Sequence, residues 1–186
     1  DHQFIKNYLK DFIELLQPNE DITEELVKVR NLLQVISSSN KKVLIFGNGG
    51  SAAIASHFSV DLTKNAKIRC VNFNEASLIT CFANDYGFEH WAEKAVDFYG
   101  DEGDLLIVIS SSGQSQNMIN AVRAARNGGF HSVVTLSGFL ETNPLKELGD
   151  INLWANNKSY NFVENIHQIW LLAVTDLVIG KREYKA

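Results

Sequence analysis

The chain offers little on which a disulfide, a membrane anchor or a multidomain layout could be built. It has only two cysteines, Cys70 and Cys81, and they lack metal-type spacing. A reduced chain without a disulfide is expected, which points to the cytoplasm. Two prolines in 186 residues leave no Pro-rich linker on which to divide it. No apolar run reaches the roughly 18 residues of a membrane span, and no secretory signal is recognisable, so no membrane partner is expected. Lys and Arg are not clustered and the net charge is −5, which disfavours nucleic acid as the main partner. No internal repeat or low-complexity segment is present.

What remains is an ordinary globular composition, 45% apolar and 21% charged, in a length that suits one domain with its own core. Residues 1–40 read as two helices. Phe4, Tyr8, Phe12, Leu15 and Leu16 recur at helical spacing, and Asn19-Glu20 breaks the pattern. Thr23-Glu24-Glu25 opens a second helix with Leu26, Val29, Leu32, Leu33 and Val35-Ile36 on its apolar face. From residue 41 to 186, short apolar strands alternate with helices. Strands are expected at 43–46, 68–73, 105–109, 132–136 and 151–154. Helices are expected at 51–64, 76–83, 88–99, 116–126, 144–148 and 162–179. This alternation indicates an α/β fold, a five-stranded parallel sheet with helices on both faces.

Two strand-to-helix junctions carry the chemistry. The strand Val43–Phe46 empties into Gly47-Asn48-Gly49-Gly50-Ser51, and Leu105–Ile109 empties into Ser110-Ser111-Ser112-Gly113-Gln114-Ser115. Small turns of this kind let backbone N–H groups approach an anion, and the helix dipole adds favourable potential. In an open parallel sheet both fall at the ligand-binding edge. The first turn also fits a dinucleotide fingerprint, G-x-G-x-x-A. That reading wants an acidic residue at the end of the next strand, where Val71-Asn72-Phe73-Asn74 precedes a late Glu75. The hydroxyl-rich second turn favours phosphate, so no nucleotide cofactor is expected. Thr135 and Ser137, at the end of the next strand, are lesser candidates for the same rim.

Two helical pairs stand out beside the turns. His57 and Asp61, at i and i+4, share one helical face and could share a metal or a proton. His57 lies about 9 Å along the axis from Ser51, at ~1.5 Å per residue. The alternative is a half-buried His57 and an Asp61 paired with a solvent Lys. Glu164 and His167, at i and i+3, interrupt the apolar final helix. Glu164 reads either as a charge in its first turn, complementing the dipole, or as a catalytic group. Asn84-Asp85-Tyr86-Gly87 could be a turn or a ligand-gripping loop.

Three segments in order, 46–52 with His57 downstream, 84–88 and 109–115, resemble sugar-isomerase (SIS) domains, and among them the phosphoheptose isomerases. The resemblance spans nearly the whole chain. It implies a three-layer αβα, flavodoxin-like fold with an N-terminal helical extension, residues 1–40, serving oligomer assembly. It implies an isomerase that converts sedoheptulose 7-phosphate to a heptose 7-phosphate for surface polysaccharide such as lipopolysaccharide or capsule. Homotetramers with active sites at subunit interfaces, often with zinc, are the family's habit. Ser51, Ser110, Ser111, Ser112 and Ser115 would hold the phosphate. Asn48, Gly49, Gly50 and Asp85 would meet the sugar. Glu164 would be the base, with His57 and Asp61 polarising the carbonyl, and the same three are the candidate zinc ligands. The chain departs from the pattern in placing Asp61 where the family has Glu and Glu164 where it has Gln. Leu172 stands where it has a catalytic His, and Asn65 where it has Arg. Loss of an acid/base His typically costs about 10²–10⁴-fold in rate. A non-catalytic phosphosugar-binding regulator, or a tetrameric partner of other proteins, is the second expectation.

Overall fold

The computed structural model describes residues 1–183. Five strands, β1 Val43–Gly47, β2 Cys70–Asn72, β3 Leu105–Ser110, β4 Ser132–Ser137 and β5 Ile151–Trp154, form one sheet in the order β2-β1-β3-β4-β5. All four pairings are parallel. The eight helices of the described residues are α1 His2–Leu15, α2 Glu20–Ser38, α3 Gly50–Lys64, α4 Ala76–Tyr86, α5 Trp91–Tyr99, α6 Gln116–Asn127, α7 Pro144–Leu148 and α8 Tyr160–Ile179.

Strand alternation sorts the core into two layers. Val43, Ile45, Leu105, Ile107 and Ile109 face a cluster built on α2, α3 and α8, with Leu33, Phe58 and Leu171 among its buried members. Leu44, Phe46, Leu106 and Val108 face the other way, onto Trp91, Ala95, Met118 and Val122 of α5 and α6. Both faces of β1 and β3 are therefore dry, which is why those strands read as unbroken apolar runs. Each fully buried Val, Leu, Ile or Phe contributes about 1.5–3 kcal/mol relative to exposure. The chain is the expected αβα sandwich, and its N-terminal extension packs on α8 through Tyr8 and Phe12 against Phe162.

Several boundaries moved for local reasons. Asn19-Glu20 is a start rather than a break, because the Asn19 side chain accepts from Ile22 N and caps α2. β2 shrinks to three residues, and at its first residue the Cys70 backbone exchanges hydrogen bonds with Thr63 Oγ1. α4 runs on through Asn84 and Asp85 to Gly87, so this segment is helical rather than a loop. The expected 88–99 helix divides into a 3₁₀ turn, Phe88–His90, and α5. α8 is by length and composition apolar enough to cross a membrane, with mean hydropathy 1.3. Its Phe162, Val163, Ile166, Leu171 and Val174 are buried, and it packs on α2 and α3 as a core helix does.

Candidate active site

The strand order reverses between β1 and β3, so the two turns are neighbours at the topological switch point, where open α/β sheets bind ligands. Gly49 enters α3 with φ +54°, in the left-handed region, and no side chain caps this helix. Its first N–H groups stay available to an anion. Gly47 cannot carry a side chain, since a Cβ there would stand 2.6 Å from the Ser51 carbonyl carbon and oxygen.

The turns line a cleft of about 230 Å³ with Asn48, Ser51, Ser110, Ser111, Ser112 and Ser115, and α8 closes it with Tyr160 and Glu164. All five serines expected to hold phosphate are thus brought together. Ser110 Oγ donates to Ser115 Oγ at 3.0 Å, and Ser112 Oγ accepts from Gln114 N. Ser111 Oγ is fully buried and has no partner among the described residues, a donor left for something else. None of the described residues lining this cleft is basic, so an anion here would be held by hydroxyls, backbone N–H groups and two helix N-termini. Whole-ligand pockets usually span about 300–1,000 Å³, so this cleft suits one end of a ligand. A larger cavity, about 520 Å³, lies between α1–α2 and the β5 edge. Asp21, Glu24, Glu25 and Glu141 line it against a single Lys146, a net charge of the wrong sign for a phosphate.

A reciprocal amide pair clamps the two turns together. Asn48 Nδ2 donates to Asn117 Oδ1 at 3.0 Å, and Asn117 Nδ2 donates to Asn48 Oδ1 at 2.8 Å. Asn117 is buried in the first turn of α6 and also accepts from Met118 N. Asn48 lines the cleft as expected, but its amide is largely engaged in holding the turn. Gly50 approaches α8 so closely that a Cβ would strike the Glu164 carboxylate. Gly49 points into open space.

The carboxylate and the imidazole fall in different places. Glu164 borders the serine cleft, over the start of α3. α8 begins at Tyr160, so Glu164 lies beyond its first turn and is no helix-start charge. His57 Nε2 lies 3.3 Å from Asp61 Oδ2, and Asn65 donates to Asp61 Oδ1 at 3.2 Å. Asp61 thus pairs with His57 and Asn65, with no Lys. His57 Nδ1 meets Gln168 Nε2 of α8 at 2.7 Å. Among the described residues no three His, Cys, Asp or Glu side chains stand close enough to share a metal ion. His57, Asp61 and Glu164 are therefore not gathered as a ligand set within the chain.

Other expectations are relocated too. Asp85 sits exposed at the end of α4, bonded to Asn84 and Cys81, and does not line the cleft. Thr135 and Ser137 are fully buried and bond to Asn152, away from the rim. Glu75 caps α4, and the Ser77 and Leu78 N–H groups hold its carboxyl below the usual range. It is not free to meet a ribose. His167 is sealed against β4: Nε2 bonds the Ser137 carbonyl at 3.0 Å, Nδ1 has no partner, and burial lowers its pKa to about 4. Gln168 and Asn117 are the polar residues that the sequence reading missed.

The profile of the SIS domain matches residues 7–138, which includes both turns. A phosphoheptose isomerase of Fusobacterium nucleatum is 38% identical over 168 residues, 88% of this chain and 84% of that protein. One from Aliarcobacter butzleri is 31% identical over 180 residues, 94% of each chain. The solved phosphoheptose isomerase of Neisseria gonorrhoeae superposes with a TM-score of 0.87 at 31% identity, over 96% of this chain and 98% of that one. With its order of strands, its two glycine- and serine-rich turns and these relatives, the chain belongs to the SIS domain family, in its phosphoheptose isomerase branch.

Proposed function

We propose that this chain is an aldose–ketose isomerase that converts sedoheptulose 7-phosphate to a heptose 7-phosphate for surface polysaccharide. The observation that carries the reading is the placement of one carboxylate, Glu164, in the cleft that five serines line. The phosphate anchors on the serine hydroxyls and the uncapped start of α3, and its binding energy holds the sugar over the β1–α3 turn. Glu164 takes a proton from C1 of the ketose, giving an enediolate, and returns it to C2 while the O1 hydroxyl proton passes to O2, which gives the aldose. The proposed setting is cytoplasmic, as a homotetramer. The apolar side of α1 supports assembly, with Phe4, Ile5, Leu9 and Ile13 each more than half exposed. A cleft that suits only one end of the ligand supports completion of the site by a second copy, which could deliver Asp85.

Leu172 favours one competing reading, a phosphosugar-binding regulator without turnover. Incubation with sedoheptulose 7-phosphate in D₂O, followed by NMR, separates the two. Deuterium entering C1 and C2, abolished in Glu164→Gln, is expected. Saturable binding with no exchange would leave the regulator.

A further inference from the structure

Gln168 lies against His57, and the proposed reaction uses neither. Glu164, Gln168 and Leu172 recur every four residues and so share one line along α8. Glu164 meets Gly50 and Gln168 meets His57, which sets this line against α3. Positions 164 and 172 are about 12 Å apart along the axis, at ~1.5 Å per residue, with Gln168 one turn from each.

The polar atoms here form one continuous chain from α8 to α3: Gln168, His57, Asp61, Asn65. A neutral imidazole has one N–H and one lone pair. With Gln168 donating to Nδ1, the proton sits on Nε2 and faces Asp61. With the amide turned over, Gln168 accepts from Nδ1–H, and the Nε2 lone pair faces Asp61. In the first arrangement both ring nitrogens are engaged; in the second, Asp61 alone stands beside the Nε2 lone pair, short of a ligand set. A catalytic zinc also needs about three protein ligands, and no such trio of His, Cys, Asp or Glu exists among the described residues. Leu172 supplies no donor atom, and Glu164 is turned to Gly50.

We propose that Gln168 takes the place of a metal ion as the partner of His57, so that this flank of the cleft is a metal-free relay of hydrogen bonds. Gln168 is a positioning residue: it fixes the imidazole, which in turn holds Asp61. The relay adjoins the cleft assigned above to the sugar phosphate, but its test uses no substrate, so the two readings fail separately.

The whole chain is stripped with a chelator, dialysed against Zn²⁺ and then against metal-free buffer, and its zinc content measured beside that of His57→Ala. Equal content in the two proteins is expected, with no stoichiometric ion that depends on His57. One zinc per chain, lost in His57→Ala, would overturn the proposal. Imidazole ¹⁵N shifts supply the second readout. The His57 signals, assigned by their loss in His57→Ala, should be unmoved by Zn²⁺, and the Nδ1 signal should shift in Gln168→Leu. An Nδ1 resonance indifferent to Gln168→Leu would overturn the relay, whatever the zinc content.

Discussion

The two flanks of the cleft differ in what their polar atoms still have to give. On the serine flank, Ser111 Oγ is buried without a partner and the first turn of α3 is uncapped. On the His57 flank every named polar group already has a partner, from Gln168 through Asp61 to Asn65. Unmet donors mark a place that gains by binding an anion, since burying them unpaired costs about 1–3 kcal/mol each. A saturated network gains nothing from a ligand and instead fixes geometry.

Glu164 gives the largest expected effect, because it sets a charge on the open flank. Glu164→Gln should lower kcat by about 10²–10⁴-fold, the usual worth of a general base. Phosphosugar affinity should hold or tighten, since a carboxylate no longer borders the anion. Steady-state kinetics and calorimetry read the two separately. If His57→Ala costs more in kcat than Glu164→Gln, the roles of the flanks are reversed.

His167 comes next, as a fully saturated inner position with one flaw. Burial holds it at about 4, and its Nδ1 has no partner to receive a second proton. The unfolded chain takes up that proton near the ordinary value of 6.5, before the folded chain can. Its contribution to stability is full above about 6.5 and drains away as pH falls toward 4, to a total on the order of 3 kcal/mol. Urea midpoints at pH 7 and pH 4.5 measure this. His167→Gln keeps a donor for the Ser137 carbonyl without the titration, and its midpoint should fall less with acid. An equal fall in both proteins would remove His167 as the cause.

What could be read from the sequence was what is local in the chain. The serine flank is built from two short turns, so the hydroxyls of Ser110–Ser115 and the glycines of 47–50 announce it directly. The strands were legible because β1 and β3 are dry on both faces. The contacts that decide roles are not local. Gln168 reaches His57 across 111 residues and Asn117 reaches Asn48 across 69. Spacing offered only faint signals for them: Gln168 is one turn after Glu164, and Asn117 is two residues after Ser115. The relation of His57 to Glu164 is non-local in the same way, because it depends on how α3 and α8 are set against each other.

Asn117 tests whether a saturated pair can control the open flank. Asn117→Ala removes both amide bonds to Asn48 and leaves a partly buried amide without its partner. A loss of about 2 kcal/mol in stability is expected, within the range for such groups. Affinity for sedoheptulose 7-phosphate should weaken as well, because the β1–α3 turn loses its tie to α6. Lost stability with unchanged affinity would show that the clamp serves the fold alone.

Ser111 gives the smallest energy and the cleanest separation. Its hydroxyl makes no bond among the described residues, so Ser111→Ala removes nothing the fold uses, and thermal stability should stay level or rise slightly. The same change removes a donor from a bound phosphate, and affinity should fall about tenfold, or ~1.4 kcal/mol. Ser110→Ala makes the contrast, since it breaks the bond to Ser115 and should lower stability and affinity together. If Ser111→Ala destabilises the chain while leaving affinity intact, the unpartnered hydroxyl is part of the scaffold, and the distinction between open and saturated flanks collapses at its sharpest point.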